Sequence, residues 1–363
     1  MRDNPYILWF HDCDKSCVPR VGGKNASLGE MMRAGMRVPP GFAVTTAAYR
    51  DFLELSGLQA EIQKMLAGVD TDDVDWLEAT SREIRSRMSE CPIPYAISDA
   101  ICDAYQTLCA QCNGTDLPVA VRSSATAEDL PNASFAGQQD TTLWVRSAGS
   151  VLIRTAISWS SLFTARAIAY RNQMGFPHDK VLISVGVQKM ANSKTSGVMF
   201  TLNPTNGDRS KICIDASWGL GESVVSGVVT PDNFVVDKVT FTIIRRTASP
   251  KTIEYVPNHK AGKVEIRDVP PERQMTLCLT DEEVIALAQL GKCLDIWNGC
   301  PQDIEWAIDW DLPFPENVVV LQSRPETVWS RRARVPLSAN GKTGVEGVLA
   351  SLLSPVRLSP KSK

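Results

Sequence analysis

The sequence predicts a mixed α+β fold, on three observations. Residues 51–112 carry helical periodicity, short β-rich runs dominate residues 181–245, and a capped helix opening at Thr280 precedes two strand-like runs ending at Arg324. Taken in order, residues 51–112 should be mostly helical and broken at Pro92 and Pro94, because proline lacks the donor a helix needs. The apolar run 117–121 reads as a strand. Residues 147–174 read as one long helix, with Val151, Ile153, Ile157, Leu162, Ala165 and Ile168 placed to pack. Strands are expected over 181–190, 196–202, 211–216, 234–238 and 239–245. Thr280 and Glu283 form a capping-box pattern for a helix running to about residue 297. Residues 39–42, Pro-Pro-Gly-Phe, read as a turn.

Composition narrows the function classes. A chain of 363 residues, 44% hydrophobic and 22% charged, can bury real cores in two or three subdomains. A net charge of −3 argues against non-specific attraction to nucleic acid or membrane. No basic start leads into an apolar segment and no run reaches a membrane span, so a cytoplasmic location is expected. Ten cysteines then read as reduced thiols, including Cys109 and Cys112, which lack a second pair at zinc-like spacing. From Arg331 the composition turns to Arg, Ser, Pro, Lys and Gly, a linker-like basic tail in which residues 345–353 could form a short docking helix.

Residues 121–141 carry the most chemistry. Arg122 offers a planar fork suited to phosphate, Ser123, Ser124 and Thr126 add hydroxyls, and Ala136-Gly137 would let backbone N–H groups approach an anion. On composition alone an ordinary strand-to-loop transition with a surface arginine fits equally. Near the end of the folded part, strand alternation puts Ile304, Trp306 and Ile308 on one face and Asp303, Glu305 and Asp309 on the other. After a turn with Pro313 and Pro315, Gln322 and Arg324 share a face of the returning strand. Antiparallel pairing would set Glu305 nearly opposite Gln322, a pair of hard oxygen donors of the kind Mg²⁺ accepts together with phosphate. A half-exposed hairpin with a merely wet polar face is the alternative reading of the same residues.

Five ordered blocks carry a family resemblance: Gly22 to Met31, Pro39 to Phe42, Arg122 to Gln138, Ala216 to Glu222, and Asp303 to Trp306 followed by Leu321 to Pro325. They resemble the N-terminal nucleotide-binding domain of phosphoenolpyruvate synthase, pyruvate phosphate dikinase and rifampin phosphotransferase. The resemblance implies an ATP-grasp fold of two lobes holding the nucleotide between them: residues 1–200 and 201–328, with 329–363 as tail. It implies ATP and Mg²⁺ as cofactors, with Glu305 and Gln322 on the metal and Lys24, Arg122 and Arg324 on the phosphates as catalytic groups. Gly137 and Thr141 would lie at a loop closing over the nucleotide, and Gln188 where a strand edge meets adenine.

The same resemblance implies a pyrophosphoryl transfer to a histidine, loss of the γ-phosphate as Pi, and release of AMP. His11, His178 and His259 lack the Thr-Ser-His-Ala type context of the family's swivelling domain, so the histidine is expected on a partner polypeptide. In chain architecture the sequence is similar to the ATP-binding subunit of phenylphosphate synthase, which implies phenol as the small-molecule acceptor. A nucleotide-sensing regulatory subunit, or an ATP-binding fragment of a phosphoenolpyruvate synthase or rifampin phosphotransferase, stands beside that expectation.

Overall fold

A computed structural model of the protein describes residues 4–68, 73–126, 129–130, 133–134, 141–258 and 261–329. Contacts divide the chain into Met1–Glu326 and Thr327–Lys363. Only residues 327–329 of the second unit are described, so the expected tail, with its docking helix, lies almost wholly outside the described residues. Among the described residues, no helix is long and apolar enough to cross a membrane.

The first unit opens with β1 (Ile7–Trp9), α1 (Val18–Arg33) and β2 (Gly41–Val44). Four helices follow, α2 (Thr46–Leu55), α3 (Leu58–Leu66), α4 (Val74–Glu90) and α5 (Tyr95–Gln111), with Pro94 marking the start of the last as expected. Next come β3 (Val119–Ala125), the two short strands β4 (Asp129–Leu130) and β5 (Ala133–Ser134), and β6 (Thr141–Val145). Helices α6 (Ala148–Ser160) and α7 (Ala165–Gln173) lead to β7 (Ile183–Lys189), β8 (Ser193–Phe200) and β9 (Lys211–Trp218). The rest is α8 (Glu222–Val225), β10 (Asp232–Asp237), β11 (Ile243–Thr247), β12 (Ile253–Asn258), β13 (Lys263–Asp268), α9 (Pro271–Gln274), α10 (Asp281–Asn298), β14 (Gln302–Asp309) and β15 (Val318–Pro325).

Two antiparallel sheets organise these elements, in the orders β1-β2-β7-β3-β6 and β11-β10-β9-β8-β14-β15. The chain crosses from the first to the second through residues 190–192, so all of β8 belongs to the second sheet. Beneath the first sheet, α2 to α7 bury Phe52, Ile84, Met88, Ile101 and Trp159. Beneath the second, α10 contributes Val284, Leu287 and Leu294 against Ile304, Trp306 and Ile308, the face that strand alternation assigns to the core. Phe10, Val21, Leu28 and Met31 join this second core, although β1 and β2 on either side of them belong to the first sheet.

The capping box at Thr280 and Glu283 is formed, and α10 starts there because two orphan N–H groups are satisfied reciprocally. Four local expectations are corrected. The helix expected over 147–174 breaks at residues 161–164: the hydroxyls of Ser160 and Ser161 bond back to the carbonyls of Ile157 and Ser158, and Thr164 caps a new helix by accepting from the Ala167 N–H. Ile153 faces solvent rather than the core. The strand expected from 239 begins at Ile243, because the Asp237 carboxylate accepts from the N–H groups of Val239 and Thr240 and makes a turn. Gly41 and Phe42 are strand rather than turn. A Cβ on Gly41 would meet the Val187 carbonyl at 2.3 Å, so glycine is what lets β2 pair closely with β7.

Candidate functional site

The site is built where α1, β3 and the β14–β15 hairpin converge. Gly22, at φ 71°, interrupts the helix of α1, and a Cβ there would lie 2.3 Å from both the carbonyl and hydroxyl oxygens of Ser124. Only glycine allows both the conformation and the approach. The turn presses against β3, the Ser124 hydroxyl accepts from the Asn25 N–H at 3.4 Å, and the Lys24 ammonium reaches the Ser123 carbonyl at 3.5 Å. Asn25 is buried and donates to the Val21 carbonyl and the Ser184 hydroxyl, locking the turn. Lys24 therefore stands at the start of a helical segment, where free N–H groups favour an anion.

In the β14–β15 hairpin, Glu305 pairs directly with Gln322, and Asp303 with Arg324, the register that strand alternation suggests. Between Glu305 and Trp306 the register slips, leaving Leu321 as an extra residue on β15. The carbonyl of that residue accepts from Arg122 Nη1 at 2.9 Å, and Arg122 Nη2 donates to Glu305 Oε2 at 2.8 Å. The arginine of β3 in the first sheet thus grips the hairpin of the second. Its Nε is buried without a hydrogen-bond partner. Arg324 is held by Asp303, with Nε and Nη2 both 2.8 Å from Oδ2; burial nonetheless pushes the Asp303 carboxyl above the ordinary carboxylate value, against the pull of Arg324.

Two cavities lie where these elements meet, and Arg122 lines the smaller one. One, about 290 Å³, is lined by Gly23, Lys24, Thr126, Gln322 and Arg324. The other, about 80 Å³ and mainly apolar, is lined by Ala120, Arg122, Gln188, Leu220, Ala307 and Leu321. A charged cavity beside an apolar one matches a ligand with an anionic chain and a flat, weakly polar end.

The structure brings together Lys24, Arg122, Glu305, Gln322 and Arg324. Thr141 is exposed at the start of β6, directly across from Arg122. Gly137 lies outside the described residues. Gln188 is buried in β7, a central strand flanked by β2 and β3, so the expected strand edge is not an edge; it lines the small apolar cavity at the end of β7, and its amide donates to the Pro39 carbonyl. The hydroxyls expected for phosphate are partly engaged already: that of Ser124 by Asn25, and that of Thr126 by Leu182. Sequence reasoning missed the Leu321 bulge and the Arg122–Glu305 bond. The unbroken apolar run 318–321, which fails to alternate, was the one signal of the bulge.

For a divalent cation the residues fit one bound mainly through a nucleotide. Arg122 occupies Glu305 Oε2, and Gln322, the cross-strand partner of Glu305, is the other oxygen donor on the same face of the hairpin. Among the described residues there is no group of three or more His, Cys, Asp or Glu side chains able to hold a metal ion. Phosphate oxygens and water would have to complete the shell. Of the histidines, His11 is exposed, His178 accepts a hydrogen bond from Arg171, and His259 lies outside the described residues.

The sequence matches the family described as pyruvate phosphate dikinase, AMP/ATP-binding domain, over residues 18–343. It is 46% identical over 352 residues to a probable phosphoenolpyruvate synthase of Staphylothermus marinus, covering 91% of this chain and 42% of that protein. A probable phosphoenolpyruvate synthase of Methanothermobacter thermautotrophicus is 44% identical over 322 residues, covering 89% of this chain and 46% of the relative. The phosphoenolpyruvate synthase of Pyrococcus furiosus is 40% identical over 365 residues, covering 90% and 44%. The chain spans under half the length of these relatives. With its glycine turn, its arginine clamp and its Glu305–Gln322 hairpin in the matched region, this chain belongs to the pyruvate phosphate dikinase AMP/ATP-binding domain family, a domain of ATP-grasp type.

Proposed function

We propose that this chain is the ATP-binding part of a phosphoenolpyruvate synthase-type dikinase, which cleaves ATP to AMP and Pi and passes a phosphoryl group through a histidine outside these residues. The observation that carries the reading is the cross-strand pair Glu305 and Gln322 with Arg122 bonded to it. The names of the relatives, all phosphoenolpyruvate synthases, favour pyruvate as the final acceptor over the phenol expected from chain architecture.

In this reading the base lies at the apolar cavity between Ala120, Leu220 and Ala307, which at about 80 Å³ has to widen to admit it, and the phosphates lie toward Lys24 and Arg324. Mg²⁺, when bound, supplies charge neutralisation between phosphate oxygens, held by Glu305 and Gln322. Arg122 turns from Glu305 toward the phosphate chain and keeps Nη1 on the Leu321 carbonyl, so its plane stays oriented. Lys24 adds a point charge from the helix start. Phosphoryl transfer needs this positioning and compensation of charge more than covalent chemistry from the protein.

The test is phosphorus NMR of the chain with Mg-ATP, the histidine-bearing remainder of the Staphylothermus marinus relative, and either pyruvate or phenol. AMP, Pi and phosphoenolpyruvate with pyruvate are expected. ADP as the sole nucleotide product overturns the dikinase reading, and an aryl phosphate formed from phenol returns the acceptor to phenol.

A further inference from the structure

A third cavity, of about 250 Å³, lies among α2, α3 and the segment that leads into β7, and none of Lys24, Arg122, Glu305, Gln322 and Arg324 lines it. Its lining is mainly apolar, with Leu53, Ile62, Leu66, Val181 and Phe163, and it includes His178 and the amides of Gln59 and Gln63. Directly behind Phe163 and His178 sits Arg171 of α7. It is 1% exposed, its guanidinium carbon lies 5.5 Å from the Phe163 ring centroid, and its Nε donates to His178 Nδ1 at 2.8 Å. Its Nη1 and Nη2 have no hydrogen-bond partner, and among the described residues no carboxylate forms an ion pair with it.

A buried cation without a counter-ion is expensive and calls for an anion nearby. Burial lowers the Arg171 guanidinium to about 10, so it remains charged at neutral pH. The His178 ring transmits that charge. Its Nδ1 is an acceptor, so the single proton of the neutral ring is on Nε2, and that N–H is polarised by the cation on the opposite side of the ring. Asp179 also lines the cavity but is exposed, where solvent screens it, and Arg50 is paired with Asp51. The side of the cavity at His178 therefore favours a negative head, and the apolar lining an apolar body. An apolar cavity of about 150 Å³ holds benzene, so 250 Å³ has room for a ring with a short acidic side chain.

We propose that this cavity is a binding site for a small amphipathic carboxylate, an arylalkanoate or a branched alkanoate, whose head accepts a hydrogen bond from His178 backed by Arg171 and whose body lies against Leu53, Ile62 and Leu66. The test is calorimetric titration of the full chain with 3-phenylpropanoate and with its uncharged analogue 3-phenylpropan-1-ol. The acid should bind one-to-one and at least about ten-fold more tightly than the alcohol. His178→Asn keeps an acceptor near Arg171 Nε while removing the Nε2–H, and should abolish that preference. Leu53→Trp fills the cavity and should abolish binding of both compounds, with an unchanged melting curve showing that each variant is folded. Equal affinity for acid and alcohol, undiminished acid binding by Leu53→Trp, or no saturation at millimolar acid would each overturn the proposal.

Discussion

On the proposed reading, Arg122 and Glu305 support each other in the free protein and act in opposite directions on nucleotide binding, and this gives the sharpest prediction. The pair is 2.8 Å apart with side chains 15% and 27% exposed, and Arg122 also bonds to the Leu321 carbonyl. A charge-assisted hydrogen bond is worth about 1.5–3 kcal/mol, less where solvent screens it, and the buried unpartnered Nε offsets part of the gain. Arg122→Ala should therefore cost about 2 kcal/mol of stability, Glu305→Gln about 1, with a coupling of about 1 kcal/mol in the double variant. In ATP binding the two should diverge. If Arg122 contacts phosphate as proposed, Arg122→Ala should lose a charge-assisted contact worth about 1.5–3 kcal/mol. Glu305→Gln removes a negative charge that faces the phosphates and releases Arg122, so metal-free ATP should bind as well as before or better, while the gain from Mg²⁺ disappears. Urea unfolding of the four proteins and calorimetric ATP titration with and without Mg²⁺ measure both quantities. A Glu305→Gln variant that keeps the parent's Mg²⁺ dependence would remove Glu305 from the cation site, and zero coupling in stability would show that the bond across the sheets contributes nothing.

Three further outcomes are expected. Gly22→Ala forces a left-handed backbone on alanine and drives its Cβ into Ser124, so it should lose about 2–3 kcal/mol in denaturant melts and weaken ATP binding through Lys24. Lys251 and Asp232 are fully buried together, with the ammonium also donating to the carbonyls of Ser249 and Gln274; Lys251→Met strands the carboxylate and should cost about 3–5 kcal/mol, while a Lys251→Met, Asp232→Asn double variant measured by the same melts should recover part of it. His178 is held down to about 4 by burial and then by Arg171, below its usual 6.5. The unfolded chain takes up that proton at higher pH than the folded one, so stability is full above pH 6.5 and falls between 6.5 and 4 by about 2–3 kcal/mol. Urea melts at pH 7 and 4.5 should show that loss in the parent and a smaller one in His178→Asn.

The hairpin was the most legible part of the chain. The alternation of Ile304, Trp306 and Ile308 with charged residues fixes their faces, and the same period of two puts Glu305 opposite Gln322. The capping box at Thr280 was equally readable, since its signal is local. What could not be read depends on contacts between distant residues. Arg122 meets Glu305 and Leu321 only because β3 and β15 come together, and nothing within either strand announces the partner. The break at residues 161–164 turned on serine hydroxyls that compete with the helix, a choice periodicity does not register. Residue type offers the Ser124 hydroxyl to a phosphate or to an ordinary strand end alike, and its bond to the Asn25 N–H, formed where Gly22 approaches β3, is a contact that only the fold supplies.

The shared second core has a consequence for how this chain folds and how it can be cut. Phe10, Val21, Leu28 and Met31 are threaded between two strands of one sheet but are buried with Ile304, Trp306 and Val320 of the other. The Ser27 hydroxyl, bonded to the Ser323 carbonyl at 2.8 Å, ties the same ends together. During synthesis this early segment has to wait, with its apolar side chains uncovered, until the last strands emerge, and such distant closure is slow. A fragment beginning at β8 would carry a complete sheet and an open core. The two sheets are thus separable in description but not by a protease or a gene truncation, and the proposed nucleotide site, built on their junction, comes into being only when the β14–β15 hairpin closes on α1.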